Sequence, residues 1–158
     1  MTAAQPGPVP AFSPLLSQAA KASQRLLDFL LEHAGLSFDE WICLNVAAAS
    51  GQPVETEALC RTVAERLGCP AGQVRQAAGH LEATELLQPG SHNGREALGI
   101  TDQGAACWRT LSRQVSATSQ ELLGAVDPAD LAAAVRVLQA VTSEAPAILA
   151  RWQRIPER

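Results

Sequence analysis

The stretch Leu59–Thr101, LCRTVAERLGCPAGQVRQAAGHLEATELLQPGSHNGREALGIT, decides the fold. Leu59, Val63, Ala64 and Leu67 recur at helical spacing, and Gly68 stops the run as glycine commonly does just past a helix end. Cys69-Pro70 then breaks the chain. A second helix is expected over AGQVRQAAGHLEA, with Val74, Ala77, Ala78 and Leu81 as its buried side. Leu86-Leu87 and Ala97–Ile100 read as two short strands joined across Pro89 to Arg95, a connection that contains the strong turn pair Asn93-Gly94. The order is helix, turn, helix, wing. The second helix offers Gln73, Arg75 and Gln76 within its first two turns. Such a helix can enter a DNA major groove N-terminus first, where arginine suits guanine and glutamine suits adenine, each reaching two atoms at once. A solvated polar face on a surface helix has the same pattern, so the residues alone leave both readings open.

Helices are expected on both sides of this module. Residues 1–13 carry Pro6, Pro8 and Pro10 and no charged side chain, which predicts a flexible N-terminal arm. Ser13-Pro14 reads as an N-cap with proline at the first helical position, opening a helix over 14–35 that ends at Gly35. SFDE at Ser37–Glu40 is a capping box for the next helix, broken at Gly51-Gln52-Pro53, and Val54 is a candidate short edge strand. Thr101 or Asp102 caps a long helix in which Trp108, Leu111, Val115 and Leu122 share a face. Asp127-Pro128-Ala129-Asp130 is an unusually clear start for a last helix, whose Leu131, Val135, Leu138, Thr142, Ala145, Leu149 and Trp152 alternate steps of four and three. The fold class is mainly α, a winged helix-turn-helix with a small β-hairpin wing. The predicted organisation is an arm (1–13), a dimerisation helix (14–35), a winged lobe (36–101), dimerisation helices (102–152) and a tail (153–158). The outer helices hold more apolar surface than a module this small needs, which points to a symmetric dimer; packing within one chain is the alternative.

Bulk properties narrow the partners. With 158 residues, 47% of them hydrophobic and 18% charged, the chain can bury a real core. A net charge of −4 argues against generic coating of nucleic acid but leaves room for a small basic face. Eleven of the twelve basic residues are arginine. Cys43, Cys60, Cys69 and Cys107 are widely spaced with no CxxC, and the first residues lack a basic stretch followed by an apolar core, so a reduced, cytoplasmic protein without a membrane span is expected.

In order and punctuation the chain resembles the multiple-antibiotic-resistance regulator (MarR) family of winged-helix transcription factors. The resemblance rests on LSFDEWICL (36–44), VAERLGCPAGQVRQAAGHLEATELLQ (63–88), LGITDQGAACWRTL (98–111) and LLGAVDPADLAAAVRVLQAVTSEA (122–145), and covers Pro14 to Leu149. It implies a homodimer on double-stranded DNA carrying an inverted repeat, and a small-molecule or oxidant pocket between the dimer helices and the DNA-reading lobe. The chain departs from the pattern at three places. Its wing, PGSHNGREA, holds Arg95 as its only full cation; Glu85 stands where the family commonly has glycine; and Gly79 lies inside the second helix.

Around these landmarks, Arg95 with His92 and Asn93 is a candidate contact to a flanking minor groove or phosphate, or an ordinary hairpin tip. Arg61 and Arg66 are candidate phosphate clamps, or partners of Glu57, Glu65 or Glu82. Phe29, His33, Trp41 and Trp108 fall on the helices that line the family's effector site, although a core suits both tryptophans better and a helix end suits His33 better. No HxxxH, HExxH, GxSxG or phosphate-loop motif occurs, so no enzyme, metal or cofactor is expected. Cys69 precedes the second helix, whose dipole can activate a thiol. Two alternatives to an effector-responsive regulator stay open: a thiol-based sensor, and a winged-helix protein-interaction module that has lost DNA binding.

Overall fold

Ser37 opens the second helix as its sequence dictates. Its Oγ accepts from Glu40 N at 3.3 Å while Glu40 Oε2 accepts from Ser37 N at 2.6 Å, a complete capping box. The computed structural model describes residues 8–154. They form α1 (Pro8–His33), α2 (Phe38–Ser50), β1 (Val54–Glu55), α3 (Thr56–Leu67), α4 (Ala71–Ala83), β2 (Leu87–His92), β3 (Arg95–Ile100), α5 (Asp102–Leu123) and α6 (Pro128–Trp152). The strands make one antiparallel sheet in the order β1-β3-β2. This is the mainly helical winged helix-turn-helix expected.

Two local expectations are corrected. α1 is already helical at Pro8, ahead of the expected Ser13-Pro14 start, so residues 8–13 of the expected arm are helical and the rest of that arm lies outside the described residues. The helix runs on through Pro14. The wing connection is two residues, not the span from Pro89 to Arg95. Pairing continues from Leu87↔Ile100 to His92↔Arg95, and Asn93 and Gly94 turn the chain with φ of 51° and 77°. Those positive angles match the strand twist, so the ladder can close tightly. Pro89 is tolerated because β2 is an edge strand.

The chain divides into two compact units meeting between Thr118 and Ser119. In the first, α2, α3 and α4 enclose a core of Leu44, Leu59, Val63, Val74 and Leu81, all fully buried. Leu31 near the end of α1, Leu36 just beyond it, Leu87 and Leu98 of the hairpin, and Leu111 of α5 join it. α5 starts under the hairpin: Thr101 Oγ1 accepts from Gly104 N at 2.9 Å and donates to the Glu85 carbonyl at 2.7 Å. Gly104 is required there, since a Cβ would collide with the Leu86 carbonyl. By contrast, a Cβ on Gly79 would meet nothing within 4 Å, so packing does not demand glycine inside α4.

The second unit holds the end of α5 and all of α6. Asp127 caps α6 by accepting from Ala129 N at 2.7 Å, with Pro128 at the first helical position. No α6 residue is buried within the chain. Val135, Val137, Leu138, Val141, Ile148, Leu149 and Trp152 are all exposed. Among the described residues, no helix is long and apolar enough to cross a membrane.

Candidate nucleic-acid interface

α4 is amphipathic in the way a reading helix requires. Val74, Ala77, Ala78 and Leu81 face the core, and Gln73, Arg75 and Gln76 are exposed. Its first turn lacks an acidic residue and its N-cap, Pro70, makes no side-chain cap. One first-turn N–H, that of Gln73, donates instead to the Pro70 carbonyl at 3.0 Å.

The predicted DNA-facing residues fall into separate settings. Gln73 and Gln76 line one polar cleft with Ser37, Asp39, Glu40 and His80. In it Gln73 Nε2 donates to Asp39 Oδ2 at 2.6 Å, and His80 Nδ1 meets Glu40 Oε1, so two polar contacts tie α4 to the start of α2. Arg75 and Arg95 line a second cleft, of about 380 Å³, with Glu55, Thr56, Glu57 and Glu96. Arg75 is paired with Glu57, and Arg95 Nη1 donates to Glu55 Oε1 at 2.9 Å. Arg61 and Arg66 are exposed on α3 and take part in none of the ion pairs found among the described residues. His92 closes β2 opposite Arg95, and Asn93 forms the turn. The pairing of Arg61 or Arg66 with Glu57 that their spacing suggested is replaced by one between Glu57 and Arg75.

Glu40 is the one buried charged residue among those described. Burial pushes its carboxyl up, but the Ser37 N–H, the His80 side chain and the Ser37 hydroxyl outweigh that and leave its pKa below the ordinary value of 4.5. The thiols stand in the opposite regime. Burial, helped by the neighbouring Cys60 thiol and the Asp39 and Glu40 carboxylates, pushes Cys43 up to about 12. Burial also raises Cys107. Neither is disposed to act as a thiolate. Cys69 is half-buried at the turn before α4.

The four effector-pocket candidates do not share one space. Trp41 is a core residue, and Trp108 is half-buried with its indole N–H donating to Asn45 Oδ1 at 2.9 Å. Phe29 and His33 stand one turn apart at the end of α1, ring centroids 4.2 Å apart, with His33 Nδ1 donating to the Phe29 carbonyl at 2.8 Å. Only His33 of the four lines the groove between α1 and α5, a space of about 460 Å³ floored by Leu30 and Leu111 and edged by Gln103, Thr110 and Gln114. Composition hid this groove, because its α5 side is built from small and neutral polar residues.

In fold the chain is similar to solved winged-helix transcriptional regulators, MarR-family members among them. A MarR-family transcriptional regulator from Rhodococcus sp. RHA1 matches with a TM-score of 0.71 and 17% identity, over 87% of this chain and 96% of that one. MepR, a transcription regulator of the Staphylococcus aureus multidrug efflux pump MepA, matches with a TM-score of 0.66 and 16% identity over 84% of this chain and 97% of its own. CouR from Rhodococcus jostii RHA1, solved bound to p-coumaroyl-CoA, matches with a TM-score of 0.66 and 18% identity over 80% and 88%. No protein-family model matches the sequence, and no curated protein matches it.

Proposed function

We propose that this chain is a homodimeric, DNA-binding transcriptional regulator of the MarR type that answers to a small-molecule effector and catalyses nothing. One observation carries the reading: α4 buries one face in a winged core and exposes Gln73, Arg75 and Gln76 near its N-terminus. In the dimer two such helices occupy successive major grooves of an inverted repeat, about 34 Å apart. Arg95 with His92 and Asn93 follows the flanking backbone, and Arg61 and Arg66 add phosphate contacts. With about six phosphate contacts per dimer the salt slope is about −5, modest enough that base contacts and duplex shape carry much of the selectivity.

The uncovered apolar side chains of α6, and of Leu15, Leu26 and Phe29 on α1, supply the subunit contact. The α1–α5 groove, apolar at its floor with neutral donors and acceptors at its edge, suits a small and largely apolar effector. Such a ligand releases DNA only if it prefers one arrangement of the reading lobes over another. A chromosomal partner makes the cytoplasm the working compartment.

In vitro selection of duplexes from a random-sequence pool by the full chain tests this reading. Arg75→Ala is expected to weaken the selected duplex by about 1–3 kcal/mol, roughly 5- to 150-fold, measured by fluorescence anisotropy. An unchanged affinity removes Arg75 from the reading face. A second reading, a winged-helix interaction module without DNA, is favoured by the pairing of both Arg75 and Arg95 with carboxylates on a chain of net charge −4. A pool from which nothing is enriched decides for it.

A further inference from the structure

The carboxylates that hold Arg75 and Arg95 sit at one corner of the fold. Glu55 ends β1 and stands at the N-cap of α3, Thr56 opens that helix, and Glu57 follows in its first turn. Glu55 lies opposite Ala97 in the β1–β3 ladder, and Arg95 is two residues along β3 on the same face, so the pair is a cross-strand diagonal. Glu57 reaches in the other direction, to Arg75 on α4. Together with Glu96, the cleft between the reading helix and the wing thus holds two guanidinium groups and three carboxylates. A surface built only to grip phosphate would have the reverse balance.

Stability does not account for the Arg75–Glu57 pair. Arg75 and Glu57 expose 56% and 67% of their side chains, and ion pairs that open contribute at most about 1 kcal/mol. The pair bears instead on what the cleft accepts. A guanidinium has five N–H donors in a rigid fork; Glu57 engages Nη2 of Arg75 and leaves donors for a second partner. A guanine edge needs two of them. An arginine held by one edge has already lost rotamer freedom that a free side chain gives up only on binding. The carboxylate also repels backbone phosphate. That penalty falls on complexes in which Arg75 takes a phosphate and is absent where it takes a base edge, so the two effects together widen the ratio between the right sequence and the rest.

We propose that Glu57, with Glu55 acting likewise on Arg95, is a specificity-determining positioning residue of the DNA interface. It presents Arg75 to a base edge and denies it to phosphate. This rests on the DNA-binding reading above. The experiment compares the wild-type full chain, Glu57→Gln, Glu57→Asp and the Glu55→Gln/Glu57→Gln double variant on two probes: the duplex enriched by wild type from a random pool, and a mixed-sequence duplex of equal length. Glu57→Gln is expected to bind the mixed-sequence duplex about 3- to 10-fold more tightly, with a log–log salt slope steeper by about 1 per protomer as Arg75 takes a phosphate. The ratio between the two probes narrows by about tenfold. Glu57→Asp, which keeps the charge, keeps mixed-sequence binding weak. The double variant shows the larger gain. Wild type that selects and binds a duplex while Glu57→Gln leaves both the ratio and the slope unchanged overturns the inference and spares the DNA reading. A double variant and a wild type that both fail on every duplex overturn the two together.

Discussion

α4 and α6 begin from similar patterns and end differently. α4 is 13 residues long and buries Val74, Ala77, Ala78 and Leu81; α6 is 25 residues long and buries nothing within the chain, although its apolar side chains recur just as regularly. Periodicity states that a face is to be covered. It does not state by what. α4 finds its cover on α2 and α3, whereas for the apolar side of α6 a second copy of the chain is the cover proposed here.

The sharpest way to break that contrast is to damage each helix in turn. Leu81 is fully buried, so Leu81→Ala is expected to cost about 2–5 kcal/mol of folding free energy in urea denaturation, at any protein concentration. Leu138 on α6 is 43% exposed in the single chain. Leu138→Asp is therefore expected to leave the winged lobe folded and to weaken self-association by about 1.5–3 kcal/mol for each burial lost, roughly tenfold to a hundredfold or more in Kd. Sedimentation equilibrium checks it. A variant that stays dimeric with wild-type affinity, or a wild type that is monomeric, places the cover of α6 elsewhere.

A smaller effect sharpens how α4 is held. Glu40 has a folded-state pKa below its ordinary value of 4.5, so its ionised form contributes stability fully present above that value. The contribution disappears as the pH falls through 4.5 towards the lower folded value. Glu40→Gln keeps an acceptor for the Ser37 N–H but removes the charge that meets His80. A loss of about 1–2 kcal/mol is expected at neutral pH, shrinking to nothing under acid. A variant with the same loss at both ends of the scale would make the cap, not the charge, the source.

The sequence spelled out what local chemistry decides. Ser37 and Asp127 cap where their spacing says, Asn93-Gly94 turns the hairpin, and the buried stripe of α4 is the one its periodicity marks. Ser13-Pro14 does not open α1, because residues 8–13 are already helical and a serine-proline pair signals a start without excluding an earlier one. The contacts that shape the candidate site were not legible, since Asp39–Gln73, Glu57–Arg75 and Glu55–Arg95 join residues 34, 18 and 40 positions apart. Each depends on which elements become neighbours, and long polar side chains leave no periodic trace. The tryptophans illustrate the same limit: Trp41 and Trp108 lie on helices of the expected pocket, but the core and Asn45 claim them.

Glu85 allows the finest test, because the chain contains its own control. At the end of α1, Gly35 N donates to the Glu32 carbonyl at 3.1 Å and Leu36 N to Leu31 at 3.0 Å, with Gly35 at φ 68°. At the end of α4, Glu85 N donates to Glu82 at 3.0 Å and Leu86 N to Leu81 at 2.9 Å, with Glu85 at φ 59°. The two helix ends share one bonding pattern, but the second places a bulky residue where a left-handed backbone favours glycine. Glu85→Gly is expected to stabilise the chain by about 0.5–1 kcal/mol, the relief of backbone strain exceeding the extra freedom that glycine gives the unfolded state. Gly35→Ala is expected to lose about 1 kcal/mol by the same argument. Glu85 also shares a surface cleft with Glu82 and Asp102, so charge repulsion is a competing source of strain. Glu85→Ala separates the two: it removes the charge and keeps the unfavourable angle. A gain in thermal melting as large as that of Glu85→Gly would assign the cost to the carboxylates, and little or no gain assigns it to the backbone.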